Sequence, residues 1–184
     1  MIKTVNVTDR RDLHFSTMKD LLDDVERLGE APSRRATGNW TAAQIVQHVA
    51  KLIEFSIDGF PIPKAPLPLR VIGRLIRNRA LIKPWRPGYK FPKSFTFLDP
   101  DPEISWDQAA RYLSDTFDRL ESQRMTAPSP LLGPLSHEKW EQFHCRHAEM
   151  HLGFVHGGGS DEATKGDPEP THIARRGGVY PRPL

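Results

Sequence analysis

The stretch Trp140-Glu-Gln-Phe-His144-Cys-Arg-His147-Ala-Glu-Met-His151-Leu-Gly-Phe154 decides how this chain folds. Residues 140, 144, 147, 151 and 154 are spaced by four, three, four and three, the steps of a helical seam that faces a core. An α-helix advances about 100° per residue, so His144, His147 and His151 share one face within roughly 60°. Histidines therefore stand where leucine would ordinarily pack. The spacing predicts a helix from Ser136 to about Val155, stopped by Gly157-Gly-Gly159.

Working outward, three further bundle helices are predicted. Ser16 is a plausible cap for a first helix to Leu28, with Met18, Leu21, Leu22, Val25 and Leu28 at helical spacing and Gly29 as its stop. Thr41-Ala-Ala-Gln44 has capping-box form and opens a second, whose stripe is Ile45, Val49, Leu52 and Ile53 and which ends near Asp58-Gly59. His48 falls on that stripe, three residues after Ile45. Ser105-Trp-Asp-Gln108 opens the third in the same way, continuing through Leu120. Between the second and third lies a crossover, 60–104, most of it broken by the seven prolines from Pro61 to Pro92. Only Leu69–Ile82 there is free enough of proline for a short extra helix. No strand pattern is convincing, Ser94–Leu98 alternating only weakly. The fold class expected is all-α: a four-helix bundle over 1–156, followed by an irregular or disordered tail over 157–184.

At 184 residues and 38% hydrophobic content the chain suits one domain with a sizeable core. Its apolar runs are too short for a transmembrane helix, and Met1–Arg10 has no signal-peptide core, so a cytoplasmic location is expected. The one cysteine, Cys145, forms no internal disulfide and reads as a small buried hydrophobe. The net charge of +3 hides an asymmetry. No acidic residue occurs between Asp58 and Asp99, where Lys64, Arg70, Arg74, Arg77, Arg79, Lys83, Arg86, Lys90 and Lys93 leave the rest of the chain net acidic. In the extra helix, Val71, Ile72, Leu75 and Ile76 lie opposite Arg70, Arg74 and Arg77; the plain reading is a solvated face with arginine stems covering apolar surface.

Several inward histidines in one small core are costly unless each finds a partner. A divalent cation satisfies one nitrogen of each at once, and neutral imidazole is a common ligand for such ions. His147 and His151, one turn apart, would grip it from one helix while His48 completes the set from another. His144 is a candidate orienting residue or general base, since three histidines of one helix converge poorly on one ion. Three protein ligands leave a position open, as catalytic sites do. Glu149 lies between the ligands in sequence but points elsewhere. Among the tryptophans, Trp140 is the one expected to line the cavity, with Trp40, Trp85 and Trp106 in packing roles.

Leu13-His-Phe, Asn39-Trp-Thr-Ala-Ala-Gln-Ile-Val-Gln-His48, Ser56-Ile-Asp-Gly-Phe-Pro61, Gly133-Pro-Leu-Ser-His-Glu-Lys-Trp140 and Phe143-His-Cys-Arg-His147-Ala-Glu-Met-His151-Leu together resemble the DinB-like (YfiT-like) metalloenzyme superfamily, in a bacterial branch of uncharacterised function. The resemblance spans nearly the whole chain up to His156. It implies an up-down-down-up bundle, often a homodimer, with a three-histidine metal site at His48, His147 and His151. Many members of the branch carry a further histidine where this chain has Met150. Characterised relatives include thiol-dependent S-transferases and isomerases. The resemblance thus implies a metal-dependent transferase or related hydrolase, with zinc or nickel and a low-molecular-weight thiol as cofactors and a small molecule as substrate. The alternative is a non-catalytic metal-binding bundle, or one whose basic segment contacts an anionic surface. Few aromatics interleave with the arginines, which speaks against nucleic acid.

Overall fold

Three of the helices begin where a hydroxyl and a side-chain carbonyl exchange hydrogen bonds with the first backbone N–H groups. Thr17 and Asp20 do so for α1 (Met18–Glu30), Thr41 and Gln44 for α2 (Ala42–Asp58), and Ser105 and Gln108 for α4 (Trp106–Leu120). Between α2 and α4 lies α3 (Leu67–Ile82), and Ser136 caps α5 (His137–Leu152). The computed structural model describes residues 1–62, 65–88 and 93–158. The expected irregular tail falls outside the described residues from 159 onward.

The molecule is mostly helical, with two short strands among the described residues. Helix α2 packs against α4 and α5, and α1 packs against the same two. Leu21, Val25, Val46, Val49, Ile53, Leu113, Trp140 and Leu152 meet between them, each at most 2% exposed. Gly59 ends α2 with φ +102°, a left-handed conformation that other residues adopt only with strain.

Several boundaries differ from the sequence expectation. Thr17, not Ser16, caps α1, because Asp20 stands three residues after it and closes the box; Asp20 also accepts from Ser16 N–H. Gly29 does not stop that helix but sits in its last turn. Helix α5 ends at Leu152, and Val155–Gly157 instead forms β2, antiparallel to β1 (Arg34–Ala36), with Arg35 opposite His156. Neither strand shows in the sequence because three residues are too few for a period. The weakly alternating Ser94–Leu98 lies in a 3-10 helix, Lys93–Leu98.

The extra helix is present, and it is turned the other way round. Gly73 is buried against the 128–134 loop so closely that a Cβ there would lie 2.2 Å from the Leu131 carbonyl oxygen. Arg70 and Arg77, three before and four after it, are on the same side and half-buried. The apolar residues face outward: Leu75 is 80% exposed and Ile72 52%. The solvated-face reading of this helix is corrected in part, since its open side is mainly apolar, with Arg74, Asn78 and Arg79 exposed among the aliphatic residues.

The segment before α1 is tied down by charge. Arg11 donates to both carboxylate oxygens of buried Asp24, at 2.8 and 2.7 Å, and to the Leu152 carbonyl at 3.2 Å. Glu149, also buried, accepts from Phe15 N–H at 2.6 Å and from Arg146 at 2.5 Å. Removing one partner of a buried pair strands the other charge, whereas an exposed partner contributes little. Arg11→Ala should lower the unfolding free energy by about 2–3 kcal/mol in urea titration. Arg27→Ala, which removes the exposed second partner of Asp24, should cost under about 1 kcal/mol; equal losses would contradict this assignment.

Candidate metal centre

His48 projects from the middle of α2 and His147 and His151 from successive turns of α5, the two helices whose apolar stripes are pressed together in the core. One ring nitrogen of each lies within 4.8 Å of the others. His48 Nε2 and His147 Nε2 are 3.1 Å apart. A tetrahedral site with metal–nitrogen bonds of about 2.0–2.1 Å sets its ligand nitrogens roughly 3.3 Å apart, so the three are close enough to share an ion. His48 and His147 are buried, His151 half-buried.

The hydrogen bonds decide which nitrogen faces the centre. The Leu98 carbonyl, at the end of the crossover, accepts from His48 Nδ1–H at 2.8 Å. His48 Nε2 therefore carries a bare lone pair, and it points at His147. His147 Nδ1 is buried with no partner among the described residues. If His147 carries its proton on Nε2, a bare Nδ1 acceptor is stranded; if on Nδ1, that donor is stranded and two lone pairs oppose each other. A cation between the rings removes the second conflict. Burial lowers the pKa of all three histidines; at His147 the neighbouring histidines add to this, and at His151 His48 and Arg10 do. Each is thus neutral near pH 7, the form that ligates.

The walls are aromatic. Trp40, just before α2, stacks on His151 at 5.7 Å and leans on His48 at 4.8 Å. Trp85, from the crossover, meets His147 edge-on at 5.7 Å and is held by a hydrogen bond from its Nε1 to the Ala80 carbonyl. Phe143 stacks on His147 from below. The sequence assigned Trp40 and Trp85 to packing and Trp140 to the cavity. The structure reverses this: Trp140 stacks on His144 and Phe60 and donates to the Ala127 carbonyl, one turn further from the triad. Trp40 had a readable signal, its place beside the capping box that starts the His48 helix. Trp85 and the Leu98 carbonyl had none, because a proline-rich crossover carries no periodicity to locate it.

His144 shares the α5 seam and lies apart from the triad's hydrogen bonds. The Ser56 hydroxyl donates to the Ile53 carbonyl at 2.5 Å, so it accepts from His144 Nε2–H at 3.1 Å. Burial drives the His144 pKa down to about 3. Cys145 is buried and its thiol is pushed up to about 11 by the same effect, as befits a packing residue. Glu149 points away to Phe15 and Arg146.

His144 gives a pH dependence with a definite sign. Its folded pKa lies below the unfolded value of 6.5, so unfolding takes up a proton below that pH and stability falls as the pH falls. His144→Leu, in chain stripped of metal with a chelator, should flatten the decline in unfolding free energy between pH 6 and pH 4 by up to about 1.4 kcal/mol per pH unit. A decline unaltered by the substitution would show that His144 is protonated in the folded state.

Residues 7–157 match a family described as "Protein of unknown function (DUF1569)". The matched region covers most of the chain and takes in the three histidines, α1 to α5 and both strands. No curated protein and no solved structure matches. The chain, with its three-histidine cluster, belongs to the DUF1569 family.

Proposed function

We propose that the chain is a metal-dependent enzyme that binds one divalent ion, zinc or nickel, through His48, His147 and His151. The observation that carries this reading is the convergence of three neutral imidazoles in one cluster, two of them with ring nitrogens 3.1 Å apart and one with a buried Nδ1 that has no partner among the described residues. An ion held by three imidazoles retains an open position and lowers the pKa of a water or thiol bound there. This supports a transfer of a small thiol to an electrophile, or a related hydrolysis, as the reaction class; the DinB-like resemblance points the same way.

The chain's own residues have distinct parts in this proposal. Leu98 fixes the tautomer and orientation of His48, as outer partners of ligating histidines do. Trp40, Trp85 and Phe143 pack against the histidine rings, and the apolar surface they bring lowers the local polarity in which an ion would be held. His144 takes no proton-transfer step: its low pKa and its bond to Ser56 make it a packing and orienting group.

Zinc titrated into chelator-stripped chain should saturate at about one ion per molecule. At a hundredfold excess over Kd it should stabilise the fold by about 2.7 kcal/mol, seen as a rise in Tm. His147→Ala should abolish both the uptake and the rise. Saturation of that variant at one ion per chain would refute the assignment, and so would a wild-type chain that takes up no ion.

A further inference from the structure

The open side of α3 is mainly apolar although nothing in the fold requires it to be. Val71, Leu75, Pro68 and Ile82 run along the outward face, with Ile72 beside them, and each of the large aliphatic residues among these is at least half exposed. Aliphatic surface of this extent on one helix is unusual unless something covers it. Arg74 and Lys83 are exposed at its sides, Arg79 is exposed within it one turn after Leu75, and Arg86 is exposed beyond the helix end; no ion pair joins any of them to a described residue. The chain between Asp58 and Asp99 has no acidic side chain to offer them.

We propose that α3 is a docking surface for an anionic lipid bilayer, lying in the interface with Leu75 and Ile72 toward the acyl chains and the flanking cations among the headgroups. No helix of the described residues is long and apolar enough to cross a membrane, so the contact is with one surface. An interfacial helix combines an outward apolar stripe with lysines and arginines beside it, and α3 has both. Its anchoring is built in. Gly73 presses against the Leu131 carbonyl, and half-buried Arg77 reaches the Pro134 carbonyl at 3.5 Å, so the apolar face cannot turn inward without undoing this contact. Charge complementarity selects the occupant. A second copy packed through the same face would bring like cations together with no carboxylate of this segment between them. Nucleic acid would require a cluster of cations at the centre of the surface, where Arg79 stands alone among Val71, Ile72, Leu75 and Ile82.

The test is co-sedimentation of the full chain with vesicles. One set is phosphatidylcholine alone, the other phosphatidylcholine with about a third phosphatidylserine, each at low and at 500 mM salt. Binding to the anionic vesicles at low salt, absent from the neutral ones, is the expected result. Ile72→Gln/Leu75→Gln changes no charge and removes only exposed side chains; it should weaken that binding by at least about tenfold while keeping the wild-type Tm. Undiminished binding of this variant would reduce the contact to adsorption of charge and overturn the docking of the apolar face. Absence of wild-type binding at low salt would overturn the proposal outright. So would a concentration-dependent dimer, seen by sedimentation equilibrium, that the double variant abolishes without any vesicle binding. Because α3 contributes no ligand, His147→Ala should bind vesicles as the wild type does, which separates this proposal from the metal reading.

Discussion

Two ring nitrogens that each bring a lone pair to the same point do not pack stably on their own. Here geometry outside the cluster fixes one half of that conflict, the bare lone pair on His48 Nε2, and the other half arises when His147 carries its proton on Nδ1. The Leu98 carbonyl takes the Nδ1 proton of His48, which commits its Nε2 to face His147 at 3.1 Å. On the proposed reading a divalent ion is the piece that makes this part of the interior self-consistent. Without one the three histidines are neutral groups held below their ordinary pKa, a cost the fold bears as the pH falls toward and below 6.5.

The rest of the molecule follows from holding α2 and α5 in register. Helices α1 and α4 close the other sides of the core, and the segment before α1 is fastened to α1 through buried Asp24 and to α5 through buried Glu149. The crossover serves the cluster at two points: its end supplies the Leu98 carbonyl and its middle supplies Trp85. It also carries α3, whose cationic flanks and outward aliphatic residues set it apart from the other helices. One inserted segment thus completes the wall of the site and presents a surface of different chemistry.

Much of this was legible because helical periodicity is a strong signal. The seam 140-144-147-151-154 and the stripe through His48 identified the three histidines that converge, and the capping boxes located the starts of α2 and α4. What escaped the sequence lacked a period. The paired strands have three residues each, and their pairing joins distant parts of the chain. Trp85 and Leu98 act from a crossover whose path depends on tertiary contacts. The orientation of α3 was misread because amphipathicity says that a helix has two faces and not which of them is buried; Gly73, small enough to meet the Leu131 carbonyl, decides it. His144 was placed correctly on the seam, but its partner Ser56 lies eight residues past His48, where no short-range pattern connects them.

The central claim concerns the identity of the ligands, and X-ray absorption at the zinc edge reads that directly. Zinc-loaded chain should show an outer-shell scattering pattern of three imidazoles, with nitrogens at about 2.0–2.1 Å and one further light atom. A sulfur shell from Cys145, or a fit that admits no more than one imidazole, would contradict it.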